Sequence, residues 1–263
     1  MTDLLLREDH GPIARLTMNA PATLNALSDA MLAALHDAFT ALMTDTRIRV
    51  VILAGAGRAF CAGHDLRQMQ AARALPDAGA AFLADLFGRC AVVMQMIPAL
   101  PQPVIAEVQG IATAAGCQLA ASCDMVVAAD TARFGVNGVN IGLFCSTPAV
   151  ALTRAIPPRA AFEMLVTGTF ISAARAQDLG LVNRVATPDT LMSETMALAG
   201  TIASKLTAAV RIGKRAFHDQ TGLPLAEAYR LTGDVMVANM LMRDTEEGIA
   251  AFLEKREPDW PAS

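Results

Sequence analysis

The stretch of this chain best suited to chemistry owes its promise to small residues. From Pro103 to Phe134 it reads PVIAEVQGIATAAGCQLAASCDMVVAADTARF. The order expected there is a short buried strand, a tight turn at Gln109-Gly110 and a helix opening on Ala114, Ala115 and Gly116. The first N–H groups of a helix have no acceptor within it, and the aligned peptide dipoles leave partial positive charge at that end. Small side chains let a ligand oxygen reach them. That arrangement is the physics of an oxyanion hole, in which main-chain donors stabilise charge developing on a carbonyl. Close helix packing is the other use for such a run.

Other familiar chemistries find less support. GAGRAF, residues 55–60, lacks the GK[ST] ending of a phosphate-binding loop. The five cysteines, Cys61, Cys90, Cys117, Cys123 and Cys145, form no CxxC pair, and no His lies at ligand spacing from a Cys pair. Neither a zinc site nor a disulfide framework is expected; reduced, mostly buried thiols are.

The elements that must hold the helix start can be read in outline. Leu4 to Arg7 and Ile13 to Met18 flank His10-Gly11-Pro12 and suggest a hairpin. An amphipathic helix is expected from about Asp29 to Met43, with Ser28 as its N-cap. Val50 to Leu53 is a continuous apolar run ending near Gly55, which suits a strand covered on both faces. A helical region broken at Pro76-Asp77 continues to about Met96, and Met125 to Ala128 resumes as strand. Alternation of short buried strands with helices places the chain in the α/β class. From about Pro188 onward helical periodicity dominates.

The chain's 263 residues can bury a large core. Its net charge of −4 and pI near 5.6 give no basic face for nucleic acid, so a small-molecule substrate is the better expectation. Charged or turn residues interrupt each apolar run before the roughly 18 to 20 residues of a membrane span, so no membrane partner is expected. The N-terminus lacks a basic, apolar leader. A cytoplasmic location is the corresponding expectation.

Four segments in order, NAPATLNALS from Asn19, VVILAGAGRAFCAGHDL from Val50, PVIAEVQGIATAAGCQLAASCDMVVAADTARFG and TGTFISAARAQDLGLVNRV, resemble the crotonase, or enoyl-CoA hydratase/isomerase, superfamily. The resemblance covers nearly the whole chain. GHDL, ATAAGCQLAASCD, GVNIGLFCSTP and DTEEGIAAFLEKREPDW are similar more narrowly to its enoyl-CoA hydratase domain-containing protein 3 branch. What the resemblance implies is a ClpP/crotonase-like superhelix of β-β-α turns with two roughly perpendicular sheets. Residues 1–196 would form the core with the acyl-CoA site, and residues 197–263 a helical trimerisation region. It further implies an acyl-CoA or enoyl-CoA ligand, no separate cofactor because coenzyme A is part of the substrate, and a homotrimer or dimer of trimers.

The resemblance also assigns residues. The two oxyanion donors correspond to the backbone N–H of His64 and of Ala115. Contacts to coenzyme A correspond to Ala62, His64, Asp65, Leu66 and Arg67, with Ala26 and Leu27 at another part of the ligand. Arg67 meets a phosphate or is merely solvated; Asp65 contributes to the site or caps the following helix.

Two positions depart from the family. Its hydratases use two glutamates to handle water and proton, and here Gln118 and Gly138 stand in those places. An amide does not titrate near neutral pH and glycine has no side chain, so ordinary hydration is in doubt. Gln118 either hydrogen-bonds a ligand or is a buried polar residue bonded to its neighbours. The His64 ring has a useful pKa range. GLFCSTP brings Cys145 and Ser146 near the expected centre as nucleophiles, or as a packed thiol and a helix cap, with no adjacent base to activate either. Asn137 and Asn140 could orient water, and Glu107 is expected to be structural or on the surface. Three readings stay open: a hydratase-like enzyme, a decarboxylase or related enolate-forming enzyme, and a noncatalytic acyl-CoA binder.

Overall fold

The computed structural model describes residues 3–260. Its first strands, β1 (Leu5–His10) and β2 (Ile13–Met18), pair antiparallel from Leu5 with Met18 to His10 with Ile13, leaving Gly11-Pro12 as the turn. Helix α1 (Asp29–Thr44) follows, and Ser28 accepts the Met31 N–H as expected of an N-cap.

From there the chain repeats one pattern. A strand enters a first sheet, the next strand enters a second sheet, and helix returns the chain. The first repeat is β3 (Val50–Gly55), β4 (Ala59–Cys61), α2 (Leu66–Ala72) and α3 (Ala80–Ala99). The second is β5 (Val104–Val108), β6 (Ile111–Thr113) and α4 (Ala115–Ser122). The third is β7 (Met125–Ala129), β8 (Arg133–Gly135), α5 (Ser146–Ala155) and α6 (Pro158–Thr167). The six-stranded sheet runs β1-β2-β3-β5-β7-β10 and the four-stranded sheet β4-β6-β8-β9, where β9 is Ile171–Ser172 and β10 is Arg184–Ala186. Apart from β1 and the β8–β9 pair, neighbouring strands are parallel.

Parallel strands enclosed by helices read as unbroken apolar runs, and β3 and β5 are accordingly buried almost throughout. Glu107 on β5 is structural: its Oε1 accepts from Arg15 Nη2 at 2.6 Å across the sheet. After α7 (Ala173–Asp178), α8 (Leu191–Ala203) packs on β3, β5 and β7. Position 196 lies inside α8, so a division there cuts a helix that belongs to the core. Beyond it come α9 (Thr207–Gln220), α10 (Leu225–Met240) and α11 (Arg243–Glu254).

One expectation needs correction. Helix α3 is long and apolar enough to cross a membrane by length and composition. Its Asp85 and Arg89 are too few to break the run, although Leu86, Cys90, Val93, Met94 and Ile97 are buried in the core.

Candidate functional site

Two loops at the ends of β4 and β6 build the site, and glycine lets them touch. Gly63 takes φ +87°, and a Cβ there would lie 3.0 Å from the Ala114 Cβ and 3.2 Å from the Ala115 nitrogen. A Cβ on Gly116 would meet the Cys61 carbonyl oxygen at 2.1 Å. Main chain therefore packs directly on main chain between the GHDL loop and the start of α4.

At that contact Ala114 adopts φ 50°, ψ −122°, a conformation alanine rarely takes. It is held by its N–H to the Gly135 carbonyl at 2.9 Å and by its own carbonyl, which accepts the Gln118 N–H at 3.0 Å. Strain of this kind persists where the surroundings over-determine it. Its effect is to swing the Ala115 N–H to the head of α4. Among the described residues neither the His64 N–H nor the Ala115 N–H has a hydrogen-bond acceptor. Two free donors thus sit on abutting segments.

The loop before His64 is pinned by amides whose importance the sequence reading missed. Buried Asn25, at φ 54°, donates through Nδ2 to the carbonyls of Ala56 and Ala59 at 2.9 and 2.8 Å. Gln109 Nε2 reaches the carbonyls of Gly55, Gly57 and Ala59. The carbonyls that Asn25 braces lie 31 and 34 residues along the chain, so no local signal marks its role. The Leu27 N–H donates to the Gly63 carbonyl at 2.8 Å and the Ala62 N–H to the Leu24 carbonyl at 3.0 Å, so Ala26, Leu27, Ala62 and His64 come together as one ribbon. Asp65 caps α2 by accepting the Arg67 N–H at 2.9 Å, while Leu66 and Arg67 are exposed.

The His64 ring stands edge-on to Phe87 with centroids 5.4 Å apart, and both ring nitrogens are buried without a partner. Burial pushes its pKa down; the nearby Leu27 main chain opposes the shift but does not reach hydrogen-bond geometry. The imidazole is consequently neutral at pH 7. Gln118 is also buried, and among the described residues its Oε1 has no partner, so of the two alternatives the one bonded to its neighbours is not met at that atom.

Gly138 has no room for a side chain. A Cβ there would lie 2.3 Å from the Leu143 carbonyl oxygen and 2.8 Å from Cys145 Sγ. Cys145 precedes α5 as a buried thiol whose pKa burial raises, partly offset by the Gly138 main chain. Ser146 is the first residue of α5 rather than its cap, and its hydroxyl turns back to the Phe144 carbonyl at 3.5 Å. Asn137 accepts from the Thr113 hydroxyl at 2.7 Å, and Asn140 Nδ2 faces the Gly168 carbonyl at 3.5 Å.

With this geometry in view, the sequence profile described as "Enoyl-CoA hydratase/isomerase" matches residues 8–263. The chain belongs to that family. Enoyl-CoA hydratase domain-containing protein 3, mitochondrial, from Xenopus laevis is 44% identical over 259 residues, covering 98% of this chain and 86% of that protein. Its human counterpart is 44% identical over 248 residues, 94% of this chain and 80% of that protein. The crystal structure of an enoyl-CoA hydratase from Mycobacterium smegmatis superposes with a TM-score of 0.94 at 52% identity, covering 98% of this chain and 99% of that one. Human enoyl-CoA hydratase domain-containing protein 3 gives 0.92 at 42% identity over 98% and 100%. The chain therefore has the crotonase fold and falls in the branch of these domain-containing proteins. The expectation of a cytoplasmic location is overturned, because these relatives are named mitochondrial.

The thiols supply a check on the packing. All five cysteines are buried, and burial pushes Cys61, Cys90 and Cys117 up to about 12 and raises Cys123 as well. At pH 8 Ellman's reagent should label none of these four until denaturant is added. A thiol with a folded pKa above its unfolded value of 9.0 holds its proton better in the native state. Its contribution is complete below pH 9 and is lost between about pH 9 and 12, so the urea midpoint should fall over that window. A midpoint that rises there would contradict the assignment.

Proposed function

We propose that this protein binds an acyl-CoA thioester and stabilises its enolate with the main-chain N–H groups of His64 and Ala115. The observation that carries the reading is the pair of unsatisfied donors on segments packed main chain to main chain. Each such donor is worth about 3 to 4 kcal/mol of transition-state stabilisation. Ala26, Leu27, Ala62, Asp65, Leu66 and Arg67 would line the coenzyme A portion, with Arg67 free to meet a phosphate. The chemistry is nominally of the hydratase/isomerase class, but fast hydration is not expected with Gln118 and Gly138 in the glutamate positions.

The packing at Gly138 favours a second reading. A reaction that generates its enolate by losing carbon dioxide needs no base to remove a carbon-bound proton, so the donor pair alone could supply most of the catalysis. A panel of enoyl-, acyl- and malonyl-type CoA thioesters, followed by mass spectrometry for bound species and products, separates the cases. Gain of water marks hydration, loss of carbon dioxide marks decarboxylation, and binding without product marks a noncatalytic binder. Failure to bind any thioester would sink all three.

Glutamate at Gly138 is not expected to restore hydration. Its Cβ would overlap the Leu143 carbonyl oxygen at 2.3 Å, so Gly138→Glu should lower stability by about 1 to 3 kcal/mol and leave crotonyl-CoA hydration unchanged. A tenfold or larger gain, assayed by loss of enoyl absorbance, would contradict this.

The same reading includes assembly as a homotrimer or dimer of trimers. It is supported by Leu225, Tyr229, Leu241, Phe252 and Leu253 on α10 and α11 and the turn between them, each 73 to 82% exposed. Light scattering should return three or six times 27.6 kDa, and a monomer would refute it.

A further inference from the structure

The two donor segments meet at one residue. Thr113 ends β6 one position ahead of the strained Ala114, so its main chain leads straight into the turn that presents the Ala115 N–H. Its carbonyl oxygen lies 3.1 Å from where a Cβ on Gly63 would stand, directly before His64. A shift of Thr113 therefore moves one donor against the other.

Main-chain pairing runs out at this residue. Strands β6 and β8 have three residues each, and their register ends at Thr113 with Gly135, followed by the Ala114 N–H to the Gly135 carbonyl at 2.9 Å. Beyond that point the tie is made by side chains. The Thr113 hydroxyl donates to Asn137 Oδ1 at 2.7 Å, the usual length of a well-formed O–H···O bond. Thr113 is buried and its β-branched side chain has few rotamers open to it, so the bond fixes direction as well as distance. Asn137 opens a short 3-10 helix, Asn137–Ile141, and the next residue is Gly138, which packs on the Leu143 carbonyl and Cys145. The bond thus couples the donor turn to the wall that fills the place of the missing carboxylate.

We propose, on the basis of the thioester reading above, that Thr113 and Asn137 are positioning residues that set the spacing of the His64 and Ala115 N–H groups. Donors preorganised for a developing charge lose their advantage when they can drift, because reorganisation then falls at the moment of reaction. A misplacement of about 1 Å is enough to matter. Ala114 makes drift the default once the hold is released, since a residue at φ 50° and ψ −122° relaxes toward commoner backbone angles.

Butyryl-CoA labelled with carbon-13 at its thioester carbonyl, or the tightest-binding member of the panel where butyryl-CoA does not bind, serves as the probe. Affinity would be read by calorimetry and the carbonyl stretch by isotope-edited infrared spectroscopy, with the parent protein displacing the stretch to lower frequency. Thr113→Val keeps the shape and removes the hydroxyl; it should bind within about threefold of the parent yet lose about half or more of that displacement. Thr113→Ser keeps the hydroxyl and should retain the displacement. Asn137→Ala, at a half-buried position, should match Thr113→Val, and the double variant should fall no further than either single one, because the same bond is removed in each. Thr195→Val deletes a buried hydroxyl that bonds the Leu191 carbonyl at 2.8 Å within α8, and should leave the stretch at its parental frequency. A full displacement in folded Thr113→Val or Asn137→Ala, additive losses in the double variant, or an equal loss in Thr195→Val would overturn the positioning role and leave the thioester reading standing. A parent that binds no thioester of the panel, or binds one with its stretch unmoved, would overturn the thioester reading and the positioning role with it.

Discussion

Proline at Ala115 is expected to cut thioester turnover about 10²- to 10³-fold while the fold survives. Ala115 is the first residue of α4, in the first turn, where a missing N–H breaks no intrahelical bond. Ala114 ahead of it, at φ 50° and ψ −122°, lies outside the extended region preferred before proline, so the ring also presses on this turn and the variant is expected to be less stable than the parent. The substitution removes the donor and adds strain at Ala114, so the comparison is made on protein shown to be folded. Ala115→Gly keeps the N–H and should stay within a few-fold of the parent. Both variants would be assayed on the best thioester of the panel, with circular dichroism and thermal melting to verify folding. Undiminished turnover in a folded Ala115→Pro, or an equal loss in Ala115→Gly, would remove the N–H from the chemistry.

A second large effect should come from Asp124, which holds the scaffold behind the site. Lys214 is buried, and its ammonium donates to the carbonyls of Ile97 and Gln102 at 2.8 Å and to Asp124 Oδ2 at 2.7 Å. Burial lowers the Lys214 pKa and the Asp124 charge works against that shift. The same carboxylate accepts the Val104 N–H at 2.7 Å and has His218 Nε2 at 2.8 Å from its other oxygen. It thereby ties α9 to the end of α3 and to the first residue of β5, the strand that leads to the helix start. Asp124→Ala strands a buried cation and a strand N–H, and should cost about 3 to 5 kcal/mol, read as a shift of the urea midpoint. Replacing both partners, Asp124→Leu with Lys214→Met, should recover most of that loss because no charge is left uncompensated. A single-variant loss below about 1 kcal/mol would mean that the cluster is not what anchors α9.

The long elements and the head of α4 were legible from residues alone, because apolar periodicity and small-residue runs report burial and close approach directly. Helix α1 with its Ser28 cap, the β1–β2 hairpin and the buried run of β3 follow from local pattern. The four-stranded sheet does not. Its strands are two or three residues long, too short for alternation to register, and they exist because the loops between first-sheet strands and helices lie alongside one another. Contacts across the chain were equally hidden. Nothing local announces that Asn25 will brace the carbonyls of Ala56 and Ala59, or that Arg15 will meet Glu107. Gly138 is the instructive case, since the sequence records a missing carboxylate but not that Leu143 and Cys145 have closed over its place.

The central claim is that two main-chain donors act on a thioester oxygen, and the carbonyl itself can report it. Isotope-edited infrared spectroscopy of a carbon-13-labelled acyl-CoA bound to the protein measures the polarisation of that bond. The account predicts a carbonyl stretch displaced to lower frequency than in free solution, and a displacement largely lost in Ala115→Pro. A bound thioester absorbing at its free-solution frequency would contradict it.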